Sequence, residues 1–126
     1  MKKLLLVGAG GFAGSIFRYL LSGWIYALNV PGPNIPYGTL FVNVLGCLLI
    51  GLLSGLGEIR QLFSPETRLF LLVGLLGGFT TFSTFTYESF GLARDGQMPE
   101  IFMNIFLHLF FGLCAVWAGY ILARFL

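Results

Sequence analysis

The sequence predicts an all-α membrane protein with four transmembrane helices, the third broken near its middle. Three observations predict it. First, 57% of the 126 residues are hydrophobic and only 10% are charged, whereas soluble domains carry about 25% charged residues; the mean hydropathy is +0.91. Second, four apolar spans (Leu4–Leu28, Gly38–Gly57, Leu69–Ala93 and Ile101–Ala123) each reach the roughly 20 residues that a helix needs to cross the hydrocarbon core. Third, the third span holds Gly74–Glu88, GLLGGFTTFSTFTYE, in which glycines lead into hydroxyls interleaved with phenylalanines. Such a run suits a helix that breaks at membrane depth, where hydroxyls, water or an ion must satisfy the freed backbone.

The first span follows Met1-Lys2-Lys3. Its apolar run is too long for a secretory signal and no small-residue cleavage site follows, so it reads as a membrane helix. Gly11, Gly14, Ser15, Arg18 and Ser22 share one stripe. Arg18 is the only charge inside this span, and a centred arginine costs about 2.5–3.5 kcal/mol on insertion scales. It therefore needs a wet cavity or a partner. Three readings are open: an anion attractor at a vestibule, a side chain snorkelling to the interface, or an ion pair with Glu88 near the end of the third span.

A Pro-rich turn, Asn29–Tyr37, leads to the second span, where Thr39, Asn43 and Gly46 line up with Cys47 beside them. Asn43 is either an interhelical hydrogen-bonding group or a ligand-binding amide. On the fourth span Asn104, His108, Gly112, Ala115 and Gly119 share a face. His108 reads as a neutral residue hydrogen-bonded beside Asn104, or as a pore-lining donor. Gly10/Gly14, Gly51/Gly55 and Gly74/Gly78 have the spacing that lets helices approach closely. Cys47 and Cys114 read as small buried side chains.

The spans and their short loops make a single transmembrane domain, residues 1–126, with both termini on one side. A four-helix bundle of this size has a filled interior, so a conduction path calls for a second subunit, most simply in a dimer. Lys2, Lys3, Arg60, Arg68 and Arg124 lie on the side of the termini and only Arg94 lies opposite, which favours cytoplasmic termini. A net charge of +2 without a basic cluster gives no case for nucleic acid, and no catalytic constellation stands out.

The chemistry concentrates in the break. Phe82 and Phe85 belong to a triplet pattern with Phe79, and an aromatic ring has a positive edge. Rings presented edge-on, hydroxyls, the Asn43 amide and helix-end N–H groups together suit a small anion. A site of partial charges binds an ion yet releases it. The break also frees carbonyls, and those of Gly77 and Thr80 are candidates to face a monovalent cation.

Gly77–Phe85, GGFTTFSTF, resembles the signature of the Fluc/CrcB family of bacterial fluoride channels. The resemblance extends to Gly14 with Arg18-Tyr19, to Tyr37-Gly38-Thr39 with Val42-Asn43, and to Ser83 through Glu88. It implies an antiparallel dimer in the bacterial inner (plasma) membrane, with two pathways that export fluoride passively and relieve its toxicity. Phe82 and Phe85 would be ring-edge ligands and Asn43 the amide that positions fluoride. Ser83, Thr84 and Thr39 would supply hydroxyls, and Arg18 would lie toward the vestibule. The carbonyls of Gly77 and Thr80, from both subunits, would hold a structural sodium ion.

Two departures stand out. The family often carries Ser or Thr on the fourth helix where this chain has Gly112 and Val116, leaving His108 and Asn104 as the polar candidates there. The Lys/Arg count of five against one is also uneven for a subunit inserted in both orientations. A homodimer is expected, with a heterodimer containing an opposite-facing relative as the alternative. Two other functions compete. A small proton-coupled multidrug exporter needs a deep titratable carboxylate, for which only Glu88 is available. A non-transporting scaffold subunit leaves the triplet pattern of the third span unexplained.

Overall fold

A computed structural model describes all 126 residues. It is all-helical, and four of its helical spans are long and apolar enough to cross a membrane. Helix α1 (Lys2–Ala27) and α2 (Tyr37–Ile59) are continuous, as is α6 (Met98–Phe125). The third span is a composite of α3 (Pro65–Arg68), a π-helical stretch (Leu69–Leu76), α4 (Gly77–Phe79) and α5 (Phe82–Arg94).

The third span starts one turn earlier than hydropathy alone places it. Ser64 caps it, its Oγ accepting a 3.2 Å hydrogen bond from the Thr67 N–H, with Pro65 in the first turn where its missing N–H costs nothing. At the other end Gly96, at φ 73°, closes α5 with a paired turn: its N–H donates to Ala93 and the next N–H, of Gln97, donates to Leu92. The Pro-rich turn is tied to this corner by a 2.9 Å hydrogen bond from Asn34 Nδ2 to Gln97 Oε1.

Glycine sets the packing. A Cβ added to Gly10 would lie 2.8 Å from the Leu75 nitrogen, and one on Gly14 would overlap the Leu75 carbonyl and stand 2.8 Å from the Phe79 nitrogen. One on Gly78 would lie 2.9 Å from the Gly11 Cα. So α1 and the third span run parallel with their backbones in contact, as the Gly10/Gly14 and Gly74/Gly78 spacings predict. A second parallel pair forms between α2 and α6, where Gly51 abuts the Val116 carbonyl and Gly119 fits against Leu48 and Leu52. The two pairs are antiparallel to each other, since Gly38 at the start of α2 meets Ser22 and Tyr26 near the end of α1.

At one end of the bundle Lys2 lies 3.6 Å from Glu66, Tyr120 donates to Glu58, and the Arg124 guanidinium stands 5.6 Å over the Tyr120 ring. Both termini therefore share that end with the loop between α2 and α3. Only 19 of 126 residues are buried within the chain, so its apolar exterior suits lipid or another subunit rather than water. The small interior cluster is Val42, Leu76 and Phe79. Cys114, expected inside, is exposed on α6, and Cys47 is half-buried.

The break falls near the middle of the third span, within the hydroxyl run, as the sequence predicts. Gly77 and Gly78 stay helical, Gly77 with ordinary angles (φ −63°, ψ −36°), because Gly78 is needed for contact with Gly11. The chain leaves the helix at Thr80 (φ −87°, ψ 161°) and Thr81 (φ −152°, ψ 119°), extended conformations that β-branched residues favour.

The seam gives a test of the fold. Gly14→Ala places a methyl group against backbone that cannot yield, and should cost about 1–3 kcal/mol. Gly23→Ala meets nothing within 4 Å and should be within about ±0.5 kcal/mol of neutral. Thermal unfolding of the purified variants in detergent measures both.

Candidate functional site

The site is built around the interruption between α4 and α5. In an unbroken helix the Thr81 N–H would donate to Gly77; here it donates instead to Asn43 Oδ1 at 2.8 Å. Asn43 Nδ2 returns a 3.0 Å hydrogen bond to the Thr81 carbonyl. The side-chain amide thus pairs with the Thr81 backbone as a second peptide group would. Its remaining N–H is not used in this exchange.

The hydroxyls of the Thr/Ser run satisfy the rest. Thr80 Oγ1 donates to the Leu76 carbonyl at 3.0 Å. Thr81 Oγ1 caps α5, accepting from the Thr84 N–H at 3.2 Å and donating to Thr84 Oγ1 at 3.0 Å, with Ser83 Oγ at 3.2 Å. Thr86 Oγ1 donates back to the carbonyls of Phe82 and Ser83. These groups repair a helix end within the membrane, as the composition of the run suggests.

Two concavities flank the break. The first, about 340 Å³, is lined by Asn43, Gly77, Thr80, Phe82, Phe85 and His108, together with Cys47 and Thr81. Phe85 is buried while Phe82 is 77% exposed, their ring centroids 5.7 Å apart and tilted by 53°. The Phe85 ring leans on His108, centroid to centroid 4.3 Å. Behind it, Asn104 is wholly buried and donates to Ser89 Oγ, which donates to the Phe85 carbonyl. His108 Nδ1 lies 2.9 Å from the Asn104 carbonyl, whereas Nε2 is buried and has no partner.

The second concavity, about 230 Å³, holds Arg18, Ser22, Thr39, Thr81 and Thr84. Arg18 Nη1 donates to the Thr80 carbonyl at 3.2 Å. It makes no ion pair with Glu88, the third of the sequence readings. Glu88 Oε1 instead accepts from Thr39 Oγ1 at 2.8 Å and from Tyr26 Oη at 3.0 Å. Arg18 therefore lines the concavity without a carboxylate partner.

Of the residues singled out in the sequence, Asn43, Phe82, Phe85, His108, Gly77 and Thr80 converge on the aromatic side, and Arg18, Thr39 and Thr84 on the charged side. Ser83 lines neither and belongs to the α5 cap. Sequence reasoning passed over Thr81, which borders both concavities, and Tyr26, which binds Glu88. Tyr26 continues the Arg18–Ser22 spacing by one more turn, so a longer stripe would have found it. Thr81 has no such signal within a run of similar hydroxyls.

The carbonyls of Gly77 and Thr80 are each short of a usual hydrogen bond. Gly77 lacks its usual i+4 donor, and Thr80 accepts one long hydrogen bond, leaving a lone pair free. Both residues border the same open concavity.

Residues 5–120 match the family described as CrcB-like protein, Camphor Resistance (CrcB). The chain is 47% identical over 123 residues to the fluoride-specific ion channel FluC 1 of Methanosarcina acetivorans, covering 98% of this chain and 92% of that one. It is 48% identical over 126 aligned residues to the fluoride-specific ion channel FluC of Chlorobaculum tepidum, covering 98% and 96%. A third relative so named, from Geotalea daltonii, is 40% identical along the full length of both chains. Similarity of this depth along the whole chain, with four membrane-spanning helices around a broken third, makes it a multi-pass membrane protein of the CrcB family.

Proposed function

We propose that this chain is a fluoride-selective ion channel and not an enzyme, carrying fluoride passively out of the cell across the inner (plasma) membrane and so relieving its toxicity. The observation that carries the reading is the broken third span, which gathers Phe82, Phe85 and Asn43 at one cavity. The names of the relatives point the same way. They give no support to a proton-coupled exporter.

Fluoride is small and strongly hydrated, so a path must replace its water with closely spaced donors. Arg18, in the hydroxyl-lined concavity, raises the local anion concentration. Beyond Thr81 no Lys or Arg lines the cavity; the ring edges of Phe82 and Phe85 and the free N–H of Asn43 offer partial charges. An ion held by partial charges can move on. Thr39 and Thr84 put hydroxyls beside Arg18 in the second concavity, and Ser83 adds one on the α5 cap next to Thr81, where a dehydrating ion needs them.

One chain walls this cavity on one side only, and Phe82 projects outward, 77% exposed. A second subunit packed against that face would close it. The antiparallel homodimer fits best, with an opposite-facing relative as the other arrangement. Gly77 and Thr80 carbonyls from the two subunits would hold a structural sodium ion, whose charge would fix the two broken helices against each other.

Vesicles holding only this protein should release fluoride, read by a fluoride electrode, and retain chloride. Replacing both Phe82 and Phe85 by Ala should nearly abolish the efflux; full efflux would reduce the rings to packing. Asn43→Asp removes the donor to the Thr81 carbonyl and sets a carboxylate against it, so flux should fall about tenfold or more, in line with 1–3 kcal/mol for a broken buried hydrogen bond. Arg18→Gln keeps a donor for Thr80 but loses the charge. Its flux should drop several-fold at low ionic strength and approach the parent's at about 1 M salt, where the Debye length is about 3 Å. Replacing sodium by a bulky organic cation should weaken the dimer, seen as a shift toward monomer in detergent size-exclusion chromatography.

A further inference from the structure

His108 is the sole histidine of the chain, and its ring has only one arrangement that satisfies its neighbours. Nδ1 stands 2.9 Å from the backbone carbonyl of Asn104. A carbonyl oxygen only accepts, so Nδ1 carries the hydrogen and the neutral ring leaves a lone pair on Nε2. That nitrogen is buried, has no partner, and belongs to a residue lining the cavity of Asn43, Phe82 and Phe85. A lone pair there is the wrong polarity for an anion. A proton on Nε2 reverses it, giving an N–H donor and a positive charge on a ring whose centroid lies 4.3 Å from that of Phe85, tilted by 39°, where a cation is favoured.

We propose that His108 is a proton-linked control on anion entry: a fluoride ion in the aromatic cavity and a proton on His108 Nε2 bind together, each favouring the other. The proposal rests on the channel reading and goes beyond it, because it makes the affinity of the cavity depend on pH. The one bond formed is Nε2–H, its proton taken from hydronium in the water at the cavity mouth; one proton and one anion enter, and the net charge of the cavity stays as it was. The sodium ion proposed at the Gly77 and Thr80 carbonyls borders the same cavity, and its charge does not change with pH. Cys47, on α2, is the only other titratable residue lining this cavity, and no Asp, Glu, Lys or Arg lines it. From α5 the ring meets Phe85, and behind it Asn104 binds Ser89, neither of which titrates. Arg18 and Glu88 line separate concavities. By linkage, whatever fluoride does to the proton affinity of His108, the proton does to fluoride affinity.

Two measurements test this. The first is fluoride efflux from vesicles between about pH 7.5 and about pH 5.5, the range in which an ordinary imidazole gains its proton. Empty vesicles run at each pH allow subtraction of hydrogen fluoride crossing the lipid. Flux through the unaltered channel should rise at least about twofold on acidification, and flux through His108→Gln, normalised to its own value at the higher pH, should stay flat. A flat response in the unaltered channel, or an equal rise in the variant, would overturn the proposal.

The second needs no variant. With ¹⁵N-labelled histidine the single ring reports its own state. The neutral form should be protonated on Nδ1, and saturating fluoride, compared with chloride, should raise the titration midpoint by about half a pH unit, a roughly threefold gain in proton affinity. A neutral ring protonated on Nε2, or a midpoint indifferent to fluoride, would refute it. Should the unaltered protein pass no fluoride at all, the channel reading fails, and the labelled ring still decides whether proton and fluoride bind together.

Discussion

Two hydrogen bonds between Asn43 and the backbone of Thr81 hold the third span together across its interruption. In hydrocarbon an unsatisfied peptide group costs several kcal/mol, and no water is at hand to relieve it. A broken helix survives there only if another group takes over the lost pairing. Asn43 does so because α2 is held against α6 by Gly51 and Gly119, while the third span is held against α1 by Gly10, Gly14 and Gly78. The glycine seams fix where Asn43 stands, Asn43 fixes the break, and the break places Phe82 and Phe85.

The interruption separates two electrostatic environments. On one side the guanidinium of Arg18 carries a full charge among hydroxyls; on the other are ring edges, one amide and the unpartnered His108 nitrogen. Thr81 borders both. A full charge attracts from a distance but would trap a small anion in a dry site, since Coulomb energy grows steeply as the dielectric falls. Partial charges hold less tightly and only at close range. Placing the strong attractor outside and the weak ligands inside suits an ion that must arrive, shed water and leave.

Much of this was legible in the residues. Hydropathy located the four spans, because crossing a bilayer constrains length and composition more tightly than folding in water does. The Gly10/Gly14 and Gly74/Gly78 spacings forecast a seam, since nothing larger lets two backbones touch. The hydroxyl run forecast a break near the middle of the third span, and the chain leaves the helix there, at Thr80 and Thr81. What the residues did not show is that Gly77 and Gly78 stay helical, Gly78 being claimed by packing on Gly11, which only the assembled bundle reveals. The partner of Arg18 was equally out of reach. Glu88 lay at a plausible spacing, but Tyr26 and Thr39 arrive from two other helices to engage it first. Ser83 looked like a path-lining hydroxyl and is spent on the α5 cap, a local role that competes with a functional one in any Ser/Thr-rich stretch.

The backbone contact between α1 and the third span also bears on how such a molecule can be regulated. With no side chains between them to change rotamer, the two helices have nothing to slide on, and the interruption they frame is a fixture rather than a valve. A conduit without moving parts cannot choose a direction. Traffic through it follows whatever electrochemical imbalance the cell maintains, and any adjustment of rate must come from altering the charge of its walls.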